Sequence, residues 1–203
     1  MQQLPANAAL IVIDVQQAFN DPSWGERNNP QAEQNVARLL AGWRATGRPL
    51  FHIQHRSQRP GSLFHPDAPG FRVKPEAAPL AGEPVLYKNV NSSFIGTDLE
   101  QRLRADGIGT LVICGITTDH CVSTTTRMAG NFGFEVFFAA DAAATFERTG
   151  PDGRHYSAQL MHDTALASLH GEFATVVPTA DILDALSRRA IRQCPASPGA
   201  AVP

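Results

Sequence analysis

Three residues of the 203-residue sequence have the types needed for acyl transfer at a C–N bond: the thiol of Cys121, the carboxylate of Asp14 and the ammonium of Lys88. A thiolate attacks a carbonyl carbon, and a carboxylate carries its proton to the departing amine. A fixed cation lowers the thiol pKa and holds the carboxylate in place. Each of the three closes or follows an apolar, strand-like run: Asp14 in ALIVIDV at 9–15, Lys88 after EPVLY at 83–87, and Cys121 after TLVICGI at 110–116. Ligands of open α/β sheets bind at the carboxyl ends of the strands, so residues far apart in the chain can converge there. Cys121 is expected in the first turn of a helix, where unpaired N–H groups and the positive end of the dipole favour an anion. Its thiol is therefore expected to ionise below the free value of ~8.5. Backbone N–H groups around Thr117 and Cys121 are the expected oxyanion hole. The bland alternatives are a buried apolar cysteine, a loop-bracing carboxylate and a solvated lysine.

Positioning these groups takes a sheet and its crossovers. Val36, Leu39, Leu40 and Trp43 have helical spacing over 33–45, stopped by Gly47 and Pro49. A second strand is expected over 50–54, followed by a long proline- and glycine-rich loop at 58–82. Thr97 and Glu100 form a T-x-x-E pattern ahead of Leu99, Leu103 and Ile108, which marks a capping box and a helix. A helix through about Asn131, a strand at 134–139, a helix at 154–170, a strand at 174–177 and a terminal helix through Ala190 complete the pattern, with Asp141 placed to brace a loop at the same sheet edge. Alternating strands and helices imply an α/β fold: three layers, α-β-α, with a six-stranded, mainly parallel, Rossmann-like sheet. One antiparallel edge strand is the alternative. No G-x-G-x-x-G or P-loop occurs, which argues against nucleotide versions of this architecture.

Hydrophobic residues make up 43% of the chain, charged ones 18%, and the net charge of −2 offers no field for nucleic acid. The amino-terminal apolar run is about seven residues against the ~20 of a membrane span and has no basic region before it, so a cytoplasmic protein without a membrane partner is expected. Cys114, Cys121 and Cys194 show no C-x-x-C pair, consistent with free thiols. His52, His55 and His65 lack metal-ligand spacing, so no metal and no cofactor are expected. A single domain is expected over 1–190, with a disordered tail at 191–203 in which Cys194 is inert.

The chain resembles the isochorismatase-like cysteine hydrolase family, which includes nicotinamidases and N-carbamoylsarcosine amidohydrolase. The pieces that carry the resemblance are ALIVIDVQQAF at 9–19, the K-x-x-x-S-x-F piece from Lys88 to Phe94, GITTDHCVSTTTRMAGNFGFEV at 115–136 and DAAAT from Asp141. The resemblance implies a catalytic triad of Asp14, Lys88 and Cys121, an isochorismatase-like fold, a cis peptide between Ile116 and Thr117, and a homo-oligomer, dimer or tetramer. Nicotinamidases carry a metal-binding D-x-H after the second strand, where this chain reads Ile53, Gln54, His55, Arg56. The cysteine favours an amide, ureido or carbamoyl substrate over the vinyl ether of isochorismatase itself. A vinyl-ether hydrolase and a non-catalytic small-molecule-binding member are the alternatives. Phe19, Trp24, His55, Phe94 and Ile116 are expected to line the substrate pocket, and His120 to face away from it.

Overall fold

The computed structural model describes residues 3–187. Six strands, β1 (Ala9–Ile13), β2 (Leu50–His55), β3 (Val85–Lys88), β4 (Thr110–Ile116), β5 (Glu135–Ala144) and β8 (Thr175–Val177), form one sheet in the order β3-β2-β1-β4-β5-β8. Every neighbouring pair in it is parallel. Among the described residues, five α-helices cover it: α1 (Ala32–Thr46), α2 (Leu99–Ala105), α3 (Ser123–Asn131), α4 (Ala158–Leu169) and α5 (Thr179–Ser187). None of the described helices is long and apolar enough to cross a membrane.

The central strands β1 and β4 are buried at every position, which is why their sequences are unbroken apolar runs rather than alternating ones. Alternation still sorts their side chains by face. Ile11, Ile13, Leu111 and Ile113 pack with Leu99 and Leu103 of α2, Ala129 of α3 and Leu169 of α4. Leu10, Val12, Val112 and Cys114 pack with Val36, Leu39, Leu40 and Trp43 of α1 and Ile182, Ala185 and Leu186 of α5. Trp43 satisfies its indole N–H on the Ala8 carbonyl at 3.0 Å, and Gly47 ends α1 in the left-handed conformation at φ +64°.

Several boundaries differ from the sequence reading, each for a local reason. β5 continues through Asp141 to Ala144 because its alanine-rich end pairs with β4 beyond a register shift, although alanine carries little strand signal. Asp141 accepts hydrogen bonds from the Thr179 N–H and hydroxyl at 2.7 and 2.6 Å and so fixes the start of α5. The helix expected from residue 154 starts at Ala158, with Ser157 as its cap. The residues before it form a small antiparallel pair, β6 (Arg148–Thr149) and β7 (His155–Tyr156). The expected capping box is not formed: the Thr97 hydroxyl donates to the Ser93 carbonyl at 2.5 Å and accepts from Leu99 N–H at 3.4 Å, while Glu100 pairs with Arg104. The expected tail at 191–203, Cys194, and the end of the terminal helix at 188–190 lie outside the described residues.

One carboxylate ties the two loops above the sheet to α1. Glu33 accepts from both Arg27 terminal nitrogens, at 2.6 and 2.5 Å, and from Lys74 Nζ at 2.6 Å. Burial raises the Glu33 pKa, but the Arg27 and Lys74 hydrogen bonds and charges outweigh it and bring the group down to about 2. A carboxylate depressed in this way adds stability above its ordinary pKa near 4.5, and that stability is lost as pH falls toward 2. Glu33→Gln is therefore expected to destabilise the protein by on the order of 2 kcal/mol at pH 6 and by about half as much at pH 3. Urea denaturation of both proteins at the two pH values checks this, and an equal difference at both would refute it.

Candidate active site

At the carboxyl edge of the sheet the chain reverses its direction of progress. β2 and β3 lie to one side of β1, and β4, β5 and β8 lie to the other. Such a switch point leaves a crevice above the two central strands, and Asp14 and Cys121 stand on either side of it. Asp14 leaves β1 with φ +52° and its N–H bonded to the Ile53 carbonyl at 2.9 Å, which turns its side chain out of the strand register. One carboxylate oxygen, Oδ2, accepts from Lys88 Nζ at 2.5 Å, and both side chains are fully buried. The other oxygen, Oδ1, is buried without a hydrogen-bond partner among the described residues.

Cys121 lies in a π-helical turn, Thr118–Val122, that runs directly into α3. The peptide bond before the turn, Ile116–Thr117, is cis. The Thr117 carbonyl accepts from the His120 and Val122 N–H groups, the Thr118 hydroxyl bonds His162 Nδ1 at 2.8 Å, and Asp119 is held by the Thr145 hydroxyl and by Arg148. The turn is thereby pinned from α4 and from the β5–β6 segment. Thr117 Oγ1 is a second buried atom without a partner among the described residues. The sequence reading of a lowered thiol pKa is corrected here. Burial pushes the Cys121 thiol up and the Asp14 charge adds to this, with Lys88 opposing, so the resting group is the protonated thiol. Desolvation outweighs the helix start because the thiol sits inside a continuous π-to-α segment rather than at an open helix end.

A carboxylate oxygen of Asp14, a ring nitrogen of His55 and the Cys121 sulfur all lie within 4.8 Å of one another. They stand on the polar side of a cavity of about 150 Å³. Phe19, Trp24 and Phe64 form its aromatic wall, with Phe19 5.1 Å from Trp24 and 5.0 Å from Phe64 between ring centres. Asn91 and His120 complete the rim, and the Asn91 side-chain oxygen is 3.9 Å from the Cys121 sulfur.

Of the expected pocket residues, Phe19, Trp24 and His55 reach the cavity and two do not. Phe94 packs against Phe132 and Phe134 in the hydrophobic layer under β4. Ile116 is buried behind the wall with Phe19 and Phe146. His120, expected to face away, borders the cavity because the π turn carries an extra residue and breaks the 3.6-residue spacing. Phe64 sits in the aperiodic 58–82 loop, where no pattern marked it. Asn91 lies three residues beyond Lys88, inside the K-x-x-x-S piece, and that proximity was the available signal.

The three histidines considered as metal ligands do not converge. His52 is buried against Glu83 at 2.9 Å and His65 lies by Asp67 at the surface. The donor set that does form, Asp14, His55 and Cys121, fits a divalent cation poorly, since the Lys88 ammonium already contacts Asp14 and sits 3.4 Å from His55 Nδ1.

The family model described as isochorismatase domain matches residues 8–181. An uncharacterised isochorismatase family protein of Bacillus subtilis, YrdC, is 48% identical over 176 residues, covering 87% of this chain and 94% of its own. Streptothricin hydrolase of Streptomyces noursei is 32% identical over 176 residues, 85% of this chain and 62% of its own. A structure from Chromobacterium violaceum assigned to the isochorismatase hydrolase family superposes with a TM-score of 0.90 at 49% identity, covering 92% of this chain and 96% of that one.

Proposed function

This chain belongs to the isochorismatase family of hydrolases, and we propose that within it the protein cleaves a C–N bond of a small amide, ureido or carbamoyl compound through an acyl-enzyme on Cys121. The observation that carries this reading is the divided Asp14 carboxylate: Oδ2 is held by Lys88, and Oδ1 is buried and unpartnered in a group that includes the Cys121 sulfur. Asp14 takes the thiol proton as sulfur attacks the carbonyl carbon. The C–N bond then breaks and the same proton passes to the departing nitrogen. Water attacks the thioester, gives its proton to Asp14, and the acid leaves as the proton returns to sulfur. A thiol that rests protonated suits this sequence, since the base removes the proton only when an electrophile is in place.

The developing oxyanion falls to the backbone N–H groups of Thr117 and Cys121, with the unpartnered Thr117 hydroxyl beside them. Lys88 holds the Asp14 carboxylate in place through its hydrogen bond to Oδ2 and balances its charge. A cavity of about 150 Å³ is small against the ~300 Å³ and upward of common ligand sites, and its aromatic wall suits a small planar or apolar acyl group. Acid quenching during turnover of a panel of small amides and ureido compounds, followed by peptide mass mapping, is expected to find the acyl mass on the peptide containing Cys121. Hydrolysis that continues after Cys121 has been fully alkylated would overturn the reading.

A further inference from the structure

β2 lies between β1 and β3, so the Lys88 side chain has to cross the end of β2 to reach Asp14. The residue it crosses is His55, the register partner of Lys88. Lys88 Nζ lies 3.4 Å from His55 Nδ1. An ammonium has protons to donate and no lone pair, so Lys88 is the donor and Nδ1 the acceptor. Burial, and next the Lys88 charge, hold the His55 pKa down against the opposing pull of Asp14, which leaves the ring neutral. A neutral imidazole whose Nδ1 accepts carries its single proton on Nε2.

The backbone that carries the ring is held in place. The Gln16 side chain accepts the His55 backbone N–H at 2.8 Å and donates to the His55 backbone carbonyl at 3.1 Å, and a further bond ties the Gln16 amide to the Phe71 carbonyl at 2.9 Å. Phe64 packs edge-on to the imidazole at 5.3 Å. His55 borders the cavity, and no hydrogen-bond partner for its Nε2 occurs among the described residues.

We propose that His55 is a specificity-determining residue: Lys88 fixes its Nε2–H tautomer, and that N–H donates to a second carbonyl or carboxylate oxygen beside the scissile carbonyl of the substrate. The choice of substrate class rests on the hydrolase reading above, whereas the tautomer and the acceptor preference do not. A polar donor that meets a hydrocarbon group loses its water partner without replacement, so the site discriminates against substrates that lack the oxygen.

Malonamide and isovaleramide test this, being matched in shape and differing in whether a second amide or an isopropyl group faces the donor. Titrations followed by NMR are expected to give at least tenfold tighter binding of malonamide to the wild-type protein. His55→Phe is expected to narrow that ratio below threefold, and His55→Gln, which keeps an N–H donor, to recover part of it. Long-range proton–nitrogen correlation of the imidazole at pH 7 is expected to show the Nε2–H tautomer. A ratio unchanged in His55→Phe, or a His55 ring protonated on Nδ1, overturns the proposal. Because these readouts require no turnover, they stand or fall separately from acylation of Cys121.

Discussion

Cys121→Ala is expected to leave a folded protein whose kcat/KM toward any amide, ureido or carbamoyl compound that the wild type hydrolyses has fallen on the order of 10,000-fold or more. The size of the effect follows from the division of labour at the site. In the proposed reaction Asp14 moves a proton and Lys88 fixes a charge, but neither offers the sulfur on which the acyl group would wait between the two half-reactions. The structural cost is small, because the substitution removes a single sulfur from a site already bordering a cavity and leaves the β-carbon in the core cluster. Cys121→Ser is expected to fall nearly as far, since a hydroxyl is far less acidic than a thiol and Asp14 is a weak base for it. Circular dichroism and thermal melting establish the fold, and steady-state rates on any substrate found for the wild type establish the loss. Activity within tenfold of wild type in the alanine variant would remove the nucleophile from the mechanism.

Gly115→Ala carries the largest expected effect on stability. Gly115 has φ +132°, and a Cβ there would stand 2.0 Å from the Ile13 carbonyl oxygen and 2.8 Å from the Ile13 carbonyl carbon and nitrogen. These are backbone atoms of β1, so no rotamer change relieves the clash. β1 and β4 would have to part at the register pair Ile13 and Gly115, one residue from Asp14 and two from Thr117. We expect a loss of more than about 4 kcal/mol, or a melting temperature lower by about 10 °C or more, with activity lost at temperatures where the variant is still folded. Gly47→Ala is the control: its φ of +64° is also left-handed, but nothing lies within 4 Å of the added carbon, so only about 1–2 kcal/mol is at stake. Melting temperatures of the two variants within 3 °C of each other would show that the steric argument is wrong.

The sheet was legible because its central strands are buried on both faces and leave long apolar runs, and α1 because its Gly47 stop and its Val36–Trp43 spacing agree. Asp14, Lys88 and Cys121 could be placed at one edge because strand ends are visible in sequence even when strand order is not. What escaped depends on geometry finer than periodicity. β6 and β7 are two residues each, too short for any alternation to register. The π-helical turn has no sequence signature, and it decides that His120 borders the cavity. The raised thiol pKa depends on how completely the folded chain buries the sulfur, which residue types do not reveal. The positions of Phe94 and Ile116 depend on which face of a loop or strand end turns inward, a choice made by packing with Phe132, Phe134 and Phe146.

β3 is the rim of the sheet, four residues long and hydrogen-bonded to a neighbour strand on one side only. Short, singly bonded strands belong to the part of a protein that opens first. Yet this strand ends in a buried ammonium that reaches across β2 to a buried carboxylate, and lifting β3 would strand that carboxylate without its partner. Breaking such a pair from one side costs several kcal/mol. The Lys88–Asp14 contact is thus a latch, and the rim of the sheet is kept closed by the same two groups to which the proposed reaction assigns its proton transfer and charge balance.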